Sequence, residues 1–257
     1  GVINEILSLN ILCTREVLAD FLKGRVVTSI EFGQKLIIAI SKNKYLFADL
    51  EIRRLVTRKI YQLGDSDLAY WMSMKCVELN PQDQVSASLA LEAAIKVGDD
   101  ERILQAGGLS LTMKNEPSGI RYSKIAESAI RKNRAGYAKD LLTRRRMKLD
   151  LEGHRLRLGL CFQEEDWKGV ETEYARTPKP FSEDDSLKTY LTLSHIENKK
   201  MAKARASIDN IKDGIERDLL NYHQKYSERD FYGAMWALNA HFSKNGMAII
   251  DEEWGNN

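Results

Sequence analysis

Apolar residues return along this chain at the three- and four-residue steps of a helix, and almost nowhere in the every-other-residue alternation of a half-buried strand. Leu89, Ile95 and Leu104 mark one such stretch, and Ile125, Ala129 and Ile130 the next. Four prolines, Pro81, Pro117, Pro178 and Pro180, stand between the stretches. A proline inside a helix costs about 3 kcal/mol or more, so these positions predict joints. Short polar breaks recur at Gly64-Asp65, Gly98-Asp99, Asn133-Arg134, Glu165-Asp166 and Asn198-Lys199, separated by 34, 35, 32 and 33 residues. A period of that length marks a helical repeat array. The expectation is an all-α fold in which helix pairs, each unable to bury its own apolar faces, stack into one continuous core.

The best-defined unit runs through Leu63-Gly64-Asp65-Ser66-Asp67-Leu68-Ala69 and ends at Leu79-Asn80-Pro81. It resembles a tetratricopeptide repeat: a first helix, a Gly-Asp turn, a small residue where the second helix packs closely, and a closing proline. A second copy keeps Ala87, Ala90, Leu91 and Ala94, turns at Gly98-Asp99 and closes near Pro117; a third turns at Asn133 and places Ala138 as the first places Ala69. The fourth carries Leu158, Cys161 and Phe162 before Glu165-Asp166, and the fifth keeps Ala204 and Ile208. Ser73 and Gly107 depart from the bulky aromatic usual in that family, and Arg145 from its alanine. The resemblance implies a right-handed α-solenoid of antiparallel helix pairs. Residues 50–213 would form five pairs, 1–49 an N-terminal helical segment or degenerate repeat, and 214–257 a set of capping helices.

Composition narrows the class. With 257 residues, 43% hydrophobic and 30% charged, the chain can bury a core and is not a disordered polyelectrolyte. Thirty-nine Lys+Arg against thirty-seven Asp+Glu leave a net +2, so an electrostatic partner must be met by a local patch. The longest apolar runs, such as 36–40, fall far short of the roughly 20 residues that span a bilayer. Cys13, Cys76 and Cys161 are odd in number and widely spaced, which suggests reduced thiols and a cytoplasmic location. Gly1 in place of a methionine reads as a cleavage scar on an excised piece.

The chemistry-bearing residues do not assemble into a catalytic constellation. His154, His195, His223 and His241 lie at least 18 residues apart without metal-ligand spacing, so no metal or cofactor is expected. Gly107-Gly108 and Gly159 lack the strand-loop-helix context and the Lys-Ser/Thr of a phosphate loop, and Gly159 reads as a close helix contact. Acidic pairs such as Asp184-Asp185 sit in turns, where helix N-termini favour them. No enzymatic activity is expected of this chain.

Two basic clusters stand out. Arg144, Arg145, Arg146 and Lys148 would fan around a helix as a patch for an anionic partner. Arg53, Arg54, Arg58 and Lys59 would share one side of the first repeat's opening helix. In tetratricopeptide arrays the first helices line a concave groove. Carried onto this sequence, the groove positions are Arg54, Arg58 and Tyr61, then Ser88, Glu92 and Ile95, then Ser123, Glu127 and Arg131. It would continue through Leu156, Leu160 and Gln163 to Thr189, Leu193 and Ile196. The favoured function is a scaffold holding a segment of another protein in that groove. One alternative is an accessory helical module of a larger enzyme, with polysaccharide or envelope assembly as one host. Another is binding of an anionic ligand or nucleic acid through the arginine clusters, although the near-zero net charge argues against nucleic acid.

Overall fold

Left-handed backbone recurs at Gly64, Gly98, Asn133, Glu165, Lys199 and Arg229, where φ lies between 56° and 100°. The computed structural model describes residues 49–114, 121–212 and 214–244, with residues 19–20, 22–23, 34–35, 38 and 40 ahead of them. Each left-handed residue separates two helices. The first pair is α1 (Leu50–Leu63) and α2 (Ser66–Leu79) and the second α3 (Gln84–Val97) and α4 (Asp100–Thr112); α5 (Tyr122–Arg131) and α6 (Ala135–Arg144) follow in sequence. Next come α7 (Leu151–Gln163) and α8 (Trp167–Ala175), and the short α9 (Lys179–Ser182) precedes α10 (Asp185–Glu197) and α11 (Met201–Asp209). The last pair is α12 (Ile215–Ser227) and α13 (Phe231–Lys244). No strand occurs among the described residues, and the described fold is all-α, built from consecutive helices joined by short turns. The chain divides into two compact units, residues 1–134 and 135–257.

The turn is a hydrogen-bonded device. The N–H after the left-handed residue donates to a carbonyl five residues back: Asp65 to Ile60 at 3.3 Å, Arg134 to Ala129 at 2.8 Å, Asp166 to Cys161 at 3.0 Å, Lys200 to His195 at 2.8 Å and Asp230 to Lys225 at 2.9 Å. These bonds satisfy carbonyls that a helix C-terminus leaves without partners. The same residue then opens the next helix. The carboxylates of Asp65, Asp99 and Asp166 cap α2, α4 and α8, and Asp230 accepts the Gly233 N–H at 2.9 Å. Five positions after the left-handed residue stand Ala69, Ile103, Ala138, Val170, Ala204 and Ala234, every one buried. The small residues expected there, Ala69 and Ala138, are fully buried.

Two glycines show how adjacent helices approach. A Cβ on Gly107 would lie 2.7 Å from Ile125, so Ile125 of α5 rests against the backbone of α4. The bulk missing at Gly107 is supplied by the next helix. A Cβ on Gly159 would meet the Tyr190 hydroxyl at 3.1 Å, which is the helix contact expected of it. Cys76 and Cys161 are free and buried, and burial pushes the Cys76 thiol up to about 11. Pro117, Cys13, residues 1–18 and the tail from 245 lie outside the described residues.

Left-handed φ costs a side-chain-bearing residue about 1–2 kcal/mol. Lys199→Gly is therefore expected to raise the urea midpoint of the full chain and Gly98→Ala to lower it, each by less than about 1.5 kcal/mol; opposite signs would place these turns wrongly. Ala69→Leu and Ala138→Leu should each cost about 1–3 kcal/mol by overpacking, measured in thermal melts.

Candidate functional site

Asp49 and Asp83 cap α1 and α3, each carboxylate accepting a backbone N–H from the helix it opens. The two helices lie against each other in the first unit. Between them runs a groove of about 460 Å³, lined by Arg58, Tyr61 and Gln62 from α1 and by Gln84, Val85, Ser88, Leu89 and Glu92 from α3. Arg58 and Glu92 occupy equivalent positions, each six residues ahead of its left-handed glycine. Their shared register brings both onto the groove wall.

Arg54 has a different task. Its Nε lies 2.8 Å from Asp83 Oδ2 and its Nη2 2.6 Å from Oδ1, a forked contact to a carboxylate with no exposed surface. Asp83 also accepts the Ser86 N–H at 3.2 Å and the Ser86 hydroxyl at 2.6 Å. Burial alone would raise the Asp83 carboxyl, but the bonds from Arg54 and Ser86 outweigh it and hold it below the usual carboxylate range. Arg54 thus ties α1 to the start of α3 and forms part of the groove's frame. Its neighbour Arg53 is buried and donates to the Lys75 carbonyl at 3.1 Å, so the four-residue basic face expected on α1 is split between core and surface.

Charge at the groove wall is different in kind. Among the described residues, neither the Arg58 guanidinium nor the Glu92 carboxylate has an ion-pair or hydrogen-bond partner. Lys96 sits 5.1 Å from the centre of the Tyr61 ring. Val85 is 47% exposed and gives the groove an apolar patch beside these charges.

The remaining expected groove residues are placed otherwise. Ile95 is half-buried and Ser123 is buried. Glu127 pairs with Lys124 at 2.8 Å and with Arg131 at 2.5 Å, and Arg131 also grips Asp100 at 2.6 Å. That network fastens α5 to α4. Leu160 and Ile196 are buried as well, so the expected continuation through the second unit does not hold at those positions. The arginine triplet is also rearranged: α6 ends at Arg144, and Arg146–Lys148 form a separate 3-10 turn. Arg144, Arg146 and Lys148 are exposed and Arg145 is half-buried, but they do not share one helix. Arg144 lies 3.6 Å from Asp140.

Gln62, Gln84 and Val85 belong to the groove but escaped the i, i+4, i+7 stripe, because a groove wall is two residues wide on each helix. Arg58 and Gln62 also border a second hollow of about 250 Å³ with Leu22 and Leu55, which makes them a ridge between two depressions. In the second unit a recess of about 470 Å³ carries Arg155, Asp184, Asp185, Lys212 and Glu216; Arg155 there is held by Glu152 at 2.8 Å and Ser186 at 2.9 Å. His154 and His195 are buried, and burial lowers both imidazoles. Among the described residues no three His, Cys, Asp or Glu side chains gather as a metal site, and no helix is long and apolar enough to cross a membrane.

Arg54→Met strands a buried carboxylate and is expected to cost on the order of 2–4 kcal/mol at neutral pH. Asp83→Asn keeps a capping side chain and should cost less. Because the Asp83 pKa is depressed in the folded chain, its contribution is full above the unfolded value of about 4 and is lost as pH falls through the lower folded value. In Arg54→Met the sign reverses, and the penalty should shrink as the stranded carboxyl is protonated. Urea midpoints of the parent chain and both variants from neutral pH down to about pH 3 test this.

No family model matches the chain, and no curated protein matches it. Among solved structures, the chain is similar to a tetratricopeptide repeat protein from Parabacteroides merdae, at 13% identity over 98% of this chain and 95% of that one, with a TM-score of 0.47.

Proposed function

We propose that this chain is a non-catalytic scaffold of the tetratricopeptide type that holds a segment of another protein in the groove between α1 and α3. The observation that carries this reading is the pair of opposite charges, Arg58 and Glu92, that have no partner among the described residues and line one groove together with Val85 and Leu89. Elsewhere in the same unit Arg54, Arg102, Lys124 and Arg131 are all engaged with carboxylates of their own chain. A rigid wall with two unspent charges suits a ligand that supplies the complements. On this reading residues 50–213 carry five repeats, and α12 and α13, which make the same turn, cap the last of them. The two buried free thiols favour a reducing, cytoplasm-like compartment.

The test is capture of partner proteins from source-cell extract by the full chain. Combining Arg58→Ala with Glu92→Ala should abolish capture while moving the melting transition by no more than about 0.5 kcal/mol, because both side chains are exposed. Arg144→Ala with Arg146→Ala should leave capture intact. The opposite pattern would reject the groove and favour an anionic partner on the arginine turn.

A further inference from the structure

We infer that the groove recognises an extended peptide carrying one acidic and one basic side chain three residues apart, the acid meeting Arg58 and the base meeting Glu92. This rests on the scaffold reading above and adds the chemistry of the bound segment. Arg58 and Glu92 share a register on two touching first helices, so their backbone positions are expected about one interaxial distance apart, about 8–10 Å. A polyproline-II segment rises about 3.1 Å per residue and returns to the same face every third residue. Side chains three positions apart therefore point the same way about 9 Å apart. The match is to that spacing and to neither adjacent residues nor a helix turn of about 5.4 Å.

The walls favour extended backbone for a second reason. The side chains of Gln62, Gln84 and Ser88 line the groove, and among the described residues none makes a hydrogen bond. An extended main chain brings free N–H and C=O groups that amides and a hydroxyl can satisfy, whereas a helix has already spent its own. Val85 and Leu89 add apolar surface to the same groove, on the α3 wall N-terminal to Glu92.

The probes are capped seven- to ten-residue peptides in a Gly/Ala background with a central leucine, bearing one aspartate and one lysine one to seven positions apart in both orders. Fluorescence anisotropy would report their binding to the full chain. Spacing three in one order should bind about tenfold more tightly than spacing one or seven. Arg58→Glu alone should erase the preference, and Arg58→Glu with Glu92→Arg should prefer the opposite order. Optimum binding at spacing seven would mean a helical ligand and overturn the inference, as would equal binding at all spacings or an unchanged order in the reversed variant. Binding by no peptide, with protein capture from extract still lost in the alanine double variant, would overturn this inference and leave the scaffold reading standing. Loss of both would remove the groove. Circular dichroism of each variant separates lost binding from lost fold, and Arg58→Gln with Glu92→Gln provides a second pair that keeps side-chain volume.

Discussion

The left-handed turn between paired helices is the constraint from which the rest follows. Its backbone bond to the carbonyl five residues back fixes where the first helix stops, and the capping aspartate fixes where the second begins. With both ends set, the residue five positions later is carried into the contact between helices, which is why Ala69, Ala138, Ala204 and Ala234 are buried. The same turn fixes the residue six positions earlier on the opposite face. Arg58 and Glu92 share that offset from their turns, and both line the groove.

Charged residues on these helices divide into those that hold neighbours and those that do not. Arg54 and Asp83, Arg131 and Asp100, and Lys200 and Glu171, at 2.6 Å, each join one helix to another. The pairs differ in weight. Asp83 is shut off from solvent, so its arginine is required to make burial tolerable, while the Arg131 side chain is 47% exposed and its pair contributes little beyond alignment. Against this background an arginine and a glutamate left open across one hollow are conspicuous.

Much of the architecture was legible in the sequence because glycine, proline and small residues act locally. The period of the polar breaks located the turns, and the spacing from Gly64 to Ala69 located the close contact. Legibility ended where the outcome depends on a neighbouring helix. Nothing within α1 distinguishes Arg54, whose partner Asp83 lies 29 residues on, from Arg58, which has no partner among the described residues. Glu127 and Arg131 look like groove residues until Asp100 is placed beside them. In the second unit the turn residues Glu165 and Lys199 lack the glycine that announces φ above zero, and stripes counted there fell on buried Leu160 and Ile196. The run of three arginines suggested a continuing helix, but the helix ends at Arg144 and the chain tightens into a 3-10 turn.

The choice of residue at each left-handed turn also grades the molecule in time. Glycine closes the turns at 64 and 98 without steric cost, whereas Glu165, Lys199 and Arg229 carry side chains in a conformation that disfavours them. A turn held at about 1 kcal/mol of disadvantage opens roughly fivefold more often than one without it. By turn strain alone, amide hydrogens beside Glu165, Lys199 and Arg229 are expected to exchange faster than those beside Gly64 and Gly98.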